Sequence, residues 1–328
     1  MNRFFKKTLG AVCLLIAGLG LTAPPVNAQD WPTKPITLIV PFPPGGFADN
    51  VTRAVSAELS KALGQSVVVD NRAGAGGRIG TTAIINAPKD GYTIGLGVPA
   101  TLSLLPVIDP KFANLSQQYA PISMGVRGYL AIAVNPAKKP FSTLKDFVEY
   151  GKTHPGKLAY GTPGAGTSFN LWGEVIADAA GFKALHVPYK GESPAVTDLL
   201  GGQIDFMLVT GAAKAYVDSG KLRVLATTGP ERWSAFPNAP TLKEAGIAAG
   251  VVASGWMGFI APAGTPKPVL EKLNAALVTA LRQPAVEQVL VTQGYAVVAG
   301  KPEQLSDTVR GEVKQFGDII KAGKVTLE

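Results

Sequence analysis

Cysteine and histidine are almost absent from this sequence. The one cysteine, Cys13, lies in an apolar run near the N-terminus, and the two histidines are His154 and His186. Beyond residue 28, the lack of cysteine excludes disulfides, thiolate metal sites and thiol nucleophiles. His154 precedes a Pro-Gly turn and His186 begins an apolar strand, so neither favours a catalytic triad or a zinc site. We expect no metal site.

Long hydrophobic runs are also lacking, except at the N-terminus. Arg3, Lys6 and Lys7 precede an apolar stretch from Leu9 to Thr22, and Val26-Asn27-Ala28 offers small residues for cleavage. This pattern predicts a cleavable signal peptide over residues 1–28 and export to the periplasm. The alternative is a membrane anchor, but the apolar run is short for a spanning helix.

Charge is sparse, since only 16% of the residues are charged. The formal net charge of +8 falls to +5 without the first 28 residues, and the basic residues are scattered rather than clustered. Scattered charge argues against nucleic-acid binding. A small positive excess favours small anionic ligands through electrostatic steering.

The usual enzyme motifs are incomplete or missing. The segment "RAGAGGRIG" has Ile79 where a dinucleotide fingerprint needs glycine, and "DFVEYGKT" has Asp146 where a phosphate-binding P-loop needs glycine. Neither Gly-x-Ser-x-Gly nor His-Glu-x-x-His occurs. We therefore expect no cofactor and no catalysis.

The order of predicted elements indicates two α/β halves. The first half contains strands over 36–42, 66–69 and 92–96, with helices over 51–63 and 79–85 between them. The second half contains strands over 130–134, 158–161, 186–187, 204–209 and 222–226, with helices capped by Ser142 and by Ser193, and another over 171–176. A strand over 256–260 precedes helices over 268–281, 285–291 and 302–321. We predict mixed sheets flanked by helices, with one domain formed by residues 29–128 plus 252–328 and the other by 129–251.

Each half contains a glycine-rich loop between a strand and a helix. "PFPPGGFAD" follows the strand over 36–42, and "YGTPGAGTSF" follows the strand over 158–161. Such loops let an anion reach the free N–H groups of a helix N-terminus, and ligands of open α/β sheets bind at these strand ends. Alternatively, both are only tight turns that need glycine for positive φ. Phe47 and Phe169 lie beside the loops and favour a ligand with an apolar or aromatic body.

Seven segments in order resemble the Bug family of periplasmic solute-binding proteins of tripartite tricarboxylate transporters. They are "PITLIVPFPPGGFAD", "NRAGAGGRIG", "DGYT", "HVPYKG", "GGQID", "RWSAFPNAPTLKEAG" and "WMGFIAPAGTP". The resemblance covers nearly all of the chain after residue 28. It implies a type II-like Venus flytrap, in which two domains joined by crossing strands close on a small carboxylate.

The resemblance and the two loops together give a set of candidate ligand-binding residues. They are Phe42, Pro44, Gly45, Gly46, Phe47, Asp49, Gly164, Gly166, Thr167, Ser168, Asn170, Tyr189 and Asp205.

Several of these candidates also have a structural interpretation. In this interpretation Asp49 simply caps the first helix, and Thr167 or Ser168 the second, without binding a ligand. Tyr189 is then a core tyrosine, and Asp205 a hinge carboxylate bonded to backbone N–H groups. Asn170 stands where many family members have histidine, and its amide cannot carry charge.

The resemblance implies a monomeric receptor that delivers a di- or tricarboxylate, an acidic amino acid or an aromatic acid to a membrane permease. One alternative is an accessory protein of a membrane sensor kinase. Another is an exported acid/base enzyme that uses Asp49 and Asp205.

Overall fold

The computed structural model describes residues 31–139, 141–247 and 251–323, together with residues 325 and 327. The predicted signal peptide lies outside the described residues. Within them, no helix is both long and apolar enough to cross a membrane.

The described chain alternates between strands and helices. The strands are β1 (Ile36–Val40), β2 (Val67–Asn71), β3 (Thr93–Gly97), β4 (Tyr119–Tyr129), β5 (Ala131–Val134), β6 (Leu158–Thr162), β7 (Ala184–Pro188), β8 (Phe206–Val209), β9 (Arg223–Thr227), β10 (Ser254–Pro262) and β11 (Ala296–Val297). The α-helices are α1 (Phe47–Leu63), α2 (Arg78–Ile85), α3 (Leu105–Ile108), α4 (Leu144–Thr153), α5 (Ser168–Ala180), α6 (Glu192–Gly201), α7 (Lys214–Asp218), α8 (Lys267–Leu281), α9 (Pro284–Thr292) and α10 (Pro302–Lys321).

Two mixed sheets organise these elements. The six-stranded sheet has the order β2-β1-β3-β10-β4-β11, and the five-stranded sheet has the order β7-β6-β8-β5-β9. In each, three strands run parallel, and an antiparallel strand from elsewhere in the chain pairs with the third of them. The prediction of mixed sheets flanked by helices is confirmed.

Local sequence explains the first strand and helix. The segment ITLIV of β1 is buried except at Thr37, as expected for a strand that has helices on both faces. In α1, Val51, Val55 and Leu59 recur at helical spacing and are fully or almost fully buried. Gly64 ends α1 in the left-handed region at φ 67°, where glycine is favoured.

The chain crosses between the two sheets at two points. The hydroxyl group of Thr228 forms hydrogen bonds to both of them. Leu130 separates β4 from β5, and Ala253 directly precedes β10. The buried Thr228 Oγ1 accepts from Leu130 N at 3.0 Å and donates to Ala253 O at 2.6 Å. The predicted domain boundaries near residues 128 and 252 are close to these crossings, and we retain them as a proposal.

The last long helix contributes side chains to the apolar clusters beside both sheets. Leu305 and Val309 of α10 belong to the apolar cluster beside the six-stranded sheet. Near the other end of α10, Phe316 contacts Trp172 of α5 edge to face, with ring centroids 5.8 Å apart. A helix predicted to belong to the first domain therefore also covers the second.

Two predicted helix caps are wrong by one or two residues. Thr143, not Ser142, caps α4, because Thr143 Oγ1 accepts from Asp146 N and the Asp146 carboxylate accepts from Thr143 N, both at 3.1 Å. Helix α6 begins before Ser193, and its N-cap is Gly191.

Candidate ligand-binding cleft

Loops from both sheets enclose a cavity of about 820 Å³, counting its open mouth. Those that follow β1 and β3 come from the six-stranded sheet, and those that follow β6, β7 and β8 come from the five-stranded sheet. The lining residues are Phe42, Pro43, Gly46, Phe47, Ala48, Val98, Pro99, Ala100, Leu130, Pro163, Thr167, Ser168, Phe169, Gly191, Glu192, Ser193, Thr210, Ser254, Gly255, Trp256, Met257 and Tyr295.

The N-terminus of α1 opens on this cavity. Gly46 is its N-cap, and no side chain caps the helix. The N–H groups of Phe47 and Ala48 are in the first turn, where no intrahelical acceptor exists, and no other acceptor contacts them in the described chain. A Cβ on Gly46 would meet no atom within 4 Å, so the backbone is open here. The helix dipole adds partial positive charge.

The N-terminus of α5 opens on the same cavity. Thr167 is its N-cap, and Thr167 Oγ1 accepts from Asn170 N at 3.4 Å and donates to Gly164 O at 2.8 Å. Ser168 and Phe169 follow in the first turn and line the cavity. Within the described residues, the Ser168 hydroxyl and both N–H groups have no partner. The two predicted helix N-termini therefore face one space.

A third helix N-terminus, missed at the sequence level, joins them. Gly191 caps α6 at φ 143°, and Glu192 and Ser193 line the cavity. A Cβ on Gly191 would come within 2.5 Å of Pro43 Cγ, in the loop after β1. Gly191, which directly precedes Glu-Ser-Pro, was the sequence signal for this N-terminus, but serine followed by proline favours an N-cap at Ser193.

The cavity wall carries little charge. Among the described lining residues there is no lysine, arginine or histidine, and Glu192 has the only carboxyl group. Thr210 N and Thr210 Oγ1 each donate to Glu192 Oε1 at 2.9 Å. Burial raises the pKa of Glu192, and burial, then the nearby Glu192, raises the pKa of the Tyr295 phenol. An anion here would be held by backbone and hydroxyl groups.

Aromatic rings form much of the wall. Phe47 stacks on Tyr295 with ring centroids 3.9 Å apart and an interplanar angle of 20°. Phe42, Phe169 and Trp256 also line the cavity. Both phenylalanines singled out in the sequence therefore border one space, as an apolar ligand body would require.

Comparison with known proteins shows the family. The sequence model described as "Tripartite tricarboxylate transporter family receptor" matches residues 51–325. The chain belongs to this family. The protein BugT of Bordetella pertussis is 35% identical over 321 residues, which cover 96% of this chain and 97% of BugT.

Solved structures of similar proteins have the same fold. The periplasmic binding protein BugD is 33% identical, with a TM-score of 0.85 over 91% of this chain and all of BugD. MatC from Rhodopseudomonas palustris, with bound malate, is 29% identical, with a TM-score of 0.83 over 88% of this chain and all of MatC. An R. palustris protein with adipate is 30% identical, with a TM-score of 0.83 over 89% of this chain and 98% of that protein.

A second cavity, of about 780 Å³ with its mouth, shares Phe42, Pro43 and Pro163 with the first. Two residues that the family resemblance implied, Gly164 and Tyr189, line this second cavity instead. The Tyr189 hydroxyl donates to Asp198 Oδ2 at 2.8 Å. Burial, and then the bond to Asp198, raises the pKa of Tyr189 to about 12.

Asp49 supports the first loop from behind and does not line either cavity. Its carboxylate accepts from Gly45 N and from Asn71 Nδ2, both at 3.0 Å, and pairs with Arg53 at 2.9 Å. Burial alone would raise the pKa of Asp49, but the bonds from Arg53, Gly45 and Asn71 outweigh it and lower the pKa. Pro44 and Gly45 also lie outside the lining.

Asn170 and Asp205 are likewise engaged inside the protein. Buried Asn170 accepts from Gly166 N at 3.3 Å and donates to Tyr160 Oη at 2.9 Å, so it holds Gly166 and the second loop from behind. Asp205 accepts from Ala159 N at 2.8 Å and pairs with Lys139 at 3.2 Å. Among the predicted site residues, Gly166, Asn170 and Asp205 therefore line neither cavity. Asp49 and Asp205, the two carboxylates that the acid/base enzyme alternative requires, therefore do not face either cavity.

The histidines have structural contacts. His186 Nε2 is 2.7 Å from Thr162 Oγ1, and burial lowers the pKa of His186. The His154 ring stacks on Tyr150 with centroids 4.3 Å apart. Among the described residues, no group of three or more His, Cys, Asp or Glu side chains could hold a metal ion.

Proposed function

We propose that this protein is an exported, non-catalytic receptor that binds a small carboxylate in the first cavity and delivers it to a tripartite permease. The observation that carries the proposal is the convergence of the α1 and α5 N-termini on one cavity whose described wall has no cationic side chain. Family membership supports a receptor role. The predicted signal peptide supports export to the periplasm.

The carboxylate accepts hydrogen bonds from the free N–H groups of Phe47 and Ala48, and from Ser168. Hydrogen bonds to an ionised acceptor are roughly twice as strong as those between neutral groups, so a few of them can replace an arginine. The rest of the ligand lies against Phe42, Phe47 and Phe169. The malate and adipate bound by two similar proteins support a carboxylate as the ligand class.

Binding is coupled to closure of the two domains, one of residues 29–128 plus 252–328 and one of 129–251. The α1 N-terminus belongs to the first domain and the α5 N-terminus to the second. The ligand contacts both helix N-termini only when the two domains are closed. It therefore binds the closed form more tightly and stabilises it.

A thermal-shift screen of residues 29–328 tests the proposal. The protein is first unfolded and refolded to remove any bound ligand, then screened against small carboxylates, including amino acids, with sugars and polyols as controls. A ligand at 100 times its Kd should add about 2.7 kcal/mol to the free energy of unfolding. Stabilisation by carboxylates alone supports the proposal, and stabilisation by sugars alone contradicts it.

A further inference from the structure

Glu192 stands out in the wall of the first cavity. It is the first residue of α6, and its side chain is half-buried in the cavity wall. Among the described lining residues, it provides the only carboxyl group in a wall without lysine, arginine or histidine. A carboxylate there would repel a bound anion, because like charges repel.

Within the described residues, the α6 N-terminus and Thr210 stabilise the Glu192 carboxylate, but no cationic side chain pairs with it. Its oxygens accept from Thr210 N at 2.9 Å and from Thr210 Oγ1 at 2.9 and 3.1 Å. Both donors are neutral, and the one hydroxyl hydrogen cannot satisfy two oxygens at once. Glu192 has no salt bridge in the described chain. A sheltered carboxylate without a cationic partner is costly, so a positive ligand group would find a strong partner here.

The aromatic wall favours the same kind of group. Phe47 and Tyr295 form a stacked pair beside the cavity, and Phe42, Phe169 and Trp256 add further rings. The face of an aromatic ring attracts a cation that lies within about 6 Å of its centroid. A carboxylate together with several rings is a suitable environment for an ammonium group and a poor one for a second anion.

We propose that Glu192 binds an ammonium group of the ligand, so that the cleft prefers an amino acid with an apolar body to a dicarboxylate. This inference rests on the proposed function, in which the α1 and α5 N-termini hold the ligand's carboxylate. Glu192 thereby determines specificity at the other polar group of the ligand. A dicarboxylate would place its second charge against Glu192.

Four acids with the same six-carbon skeleton test the inference by isothermal titration calorimetry. They are hexanoate, adipate, 6-aminohexanoate and 2-aminohexanoate. The proteins are the wild type, Glu192→Gln and the control Glu149→Gln, whose carboxylate lies on α4 away from both cavities. The glutamine keeps the size of Glu192 and an oxygen for the Thr210 donors, so we expect this variant to fold.

In the wild type, one of the two amino acids should bind at least about tenfold more tightly than hexanoate and adipate, because charge-assisted hydrogen bonds are the stronger ones. Glu192→Gln should remove that preference and bind adipate more tightly, whereas Glu149→Gln should change nothing. The inference is overturned if adipate or hexanoate matches both amino acids in the wild type, or if Glu192→Gln keeps the ranking. It is also overturned if none of the four binds.

The wild-type ranking alone decides the matter if the variant does not fold. Failure of the proposed function has a different signature, because no carboxylate of any kind would then stabilise the protein in the thermal-shift screen. Preferential binding of adipate would therefore reject the role of Glu192 and leave the carboxylate receptor standing.

Discussion

At the scale of single residues, Gly46 controls access to the first turn of α1. It lines the cavity, and a Cβ there would meet no atom within 4 Å. Its φ of −84° and ψ of 175° are extended, so other residues can adopt this backbone conformation. A larger side chain at residue 46 would therefore fold without a clash and occupy space that the ligand needs.

We expect Gly46→Val to bind carboxylates at least about tenfold more weakly, a loss of about 1.4 kcal/mol. Titration calorimetry measures this, with circular dichroism to confirm the fold. Gly317→Val in α10 is the control, because a Cβ there also meets no atom within 4 Å. A folded Gly46→Val protein with unchanged affinity would show that the ligand does not approach α1.

Glu312 lies behind the cavity wall and should make stability depend on pH. Glu312 Oε1 accepts from Trp256 Nε1 at 2.8 Å and from Ser254 Oγ at 3.2 Å. Burial raises the pKa of Glu312 above its usual 4.5. The folded state thus favours the protonated acid, and its stabilising contribution is complete below pH 4.5 and is lost as pH rises through the folded-state pKa.

Glu312→Gln removes this titration. We expect it to stabilise the protein at pH 7 and to have a much smaller effect below pH 4.5, where the folded and unfolded states are both protonated. Urea unfolding at several pH values measures the difference. An effect of the same size at every pH would mean that burial of the charge is not its cause.

The sequence alone could identify the loops but not the direction of every side chain in them. Gly46, Phe47, Thr167 and Ser168 line the cavity because they belong to helix N-termini, which local sequence reveals, and their binding of a ligand stays a prediction. Asp205 lies outside both cavities, because its carboxylate bonds to Lys139 and Ala159, which are more than 40 residues away in the chain. Asn170 also lies outside both cavities, because its amide donates to the Tyr160 hydroxyl of the preceding strand.

At the scale of elements, most strands and helices could be predicted, but β4 could not. Its sequence YAPISMGVRGY contains Pro121, Gly125 and Gly128, which usually interrupt strands. A Cβ on Gly128 would come within 2.6 Å of the Tyr295 ring, and one on Gly125 within 3.0 Å of the Phe259 ring. The glycines of β4 thus make room for aromatic rings from distant segments, a requirement that tertiary packing imposes.

The approach of the α6 N-terminus to the loop after β1 requires glycine at residue 191. We expect Gly191→Ala to prevent full closure, because its Cβ would come within 2.5 Å of Pro43 Cγ. Small-angle X-ray scattering with saturating ligand should show a larger radius of gyration than in the wild type, and affinity should fall.

Gly156→Ala is the matched control for strain. Gly156 also has positive φ, 73°, but a Cβ there meets no atom within 4 Å. Both variants should lose stability through backbone strain, and only Gly191→Ala should lose closure. If the two behave alike, the contact between Gly191 and Pro43 does not limit closure.

At the scale of the whole molecule, three connections join the two sheets. The chain crosses between them at Leu130 and Ala253, and α10 contributes side chains to the apolar clusters beside both. The order of elements in the sequence was enough to predict two mixed sheets, because each half repeats a strand-helix pattern. The packing of α10 across both could not be read from its periodicity, since one apolar face fits either partner.

The proposed function rests on a carboxylate that lies at the N-termini of α1 and α5. The most direct measurement compares, by titration calorimetry, the best-binding acid of the thermal-shift screen with the amide of the same carboxyl group. The amide keeps the shape of the ligand but lacks the charge that the free N–H groups bind. We predict that the acid binds at least about tenfold more tightly than its amide. Equal affinities would contradict this placement.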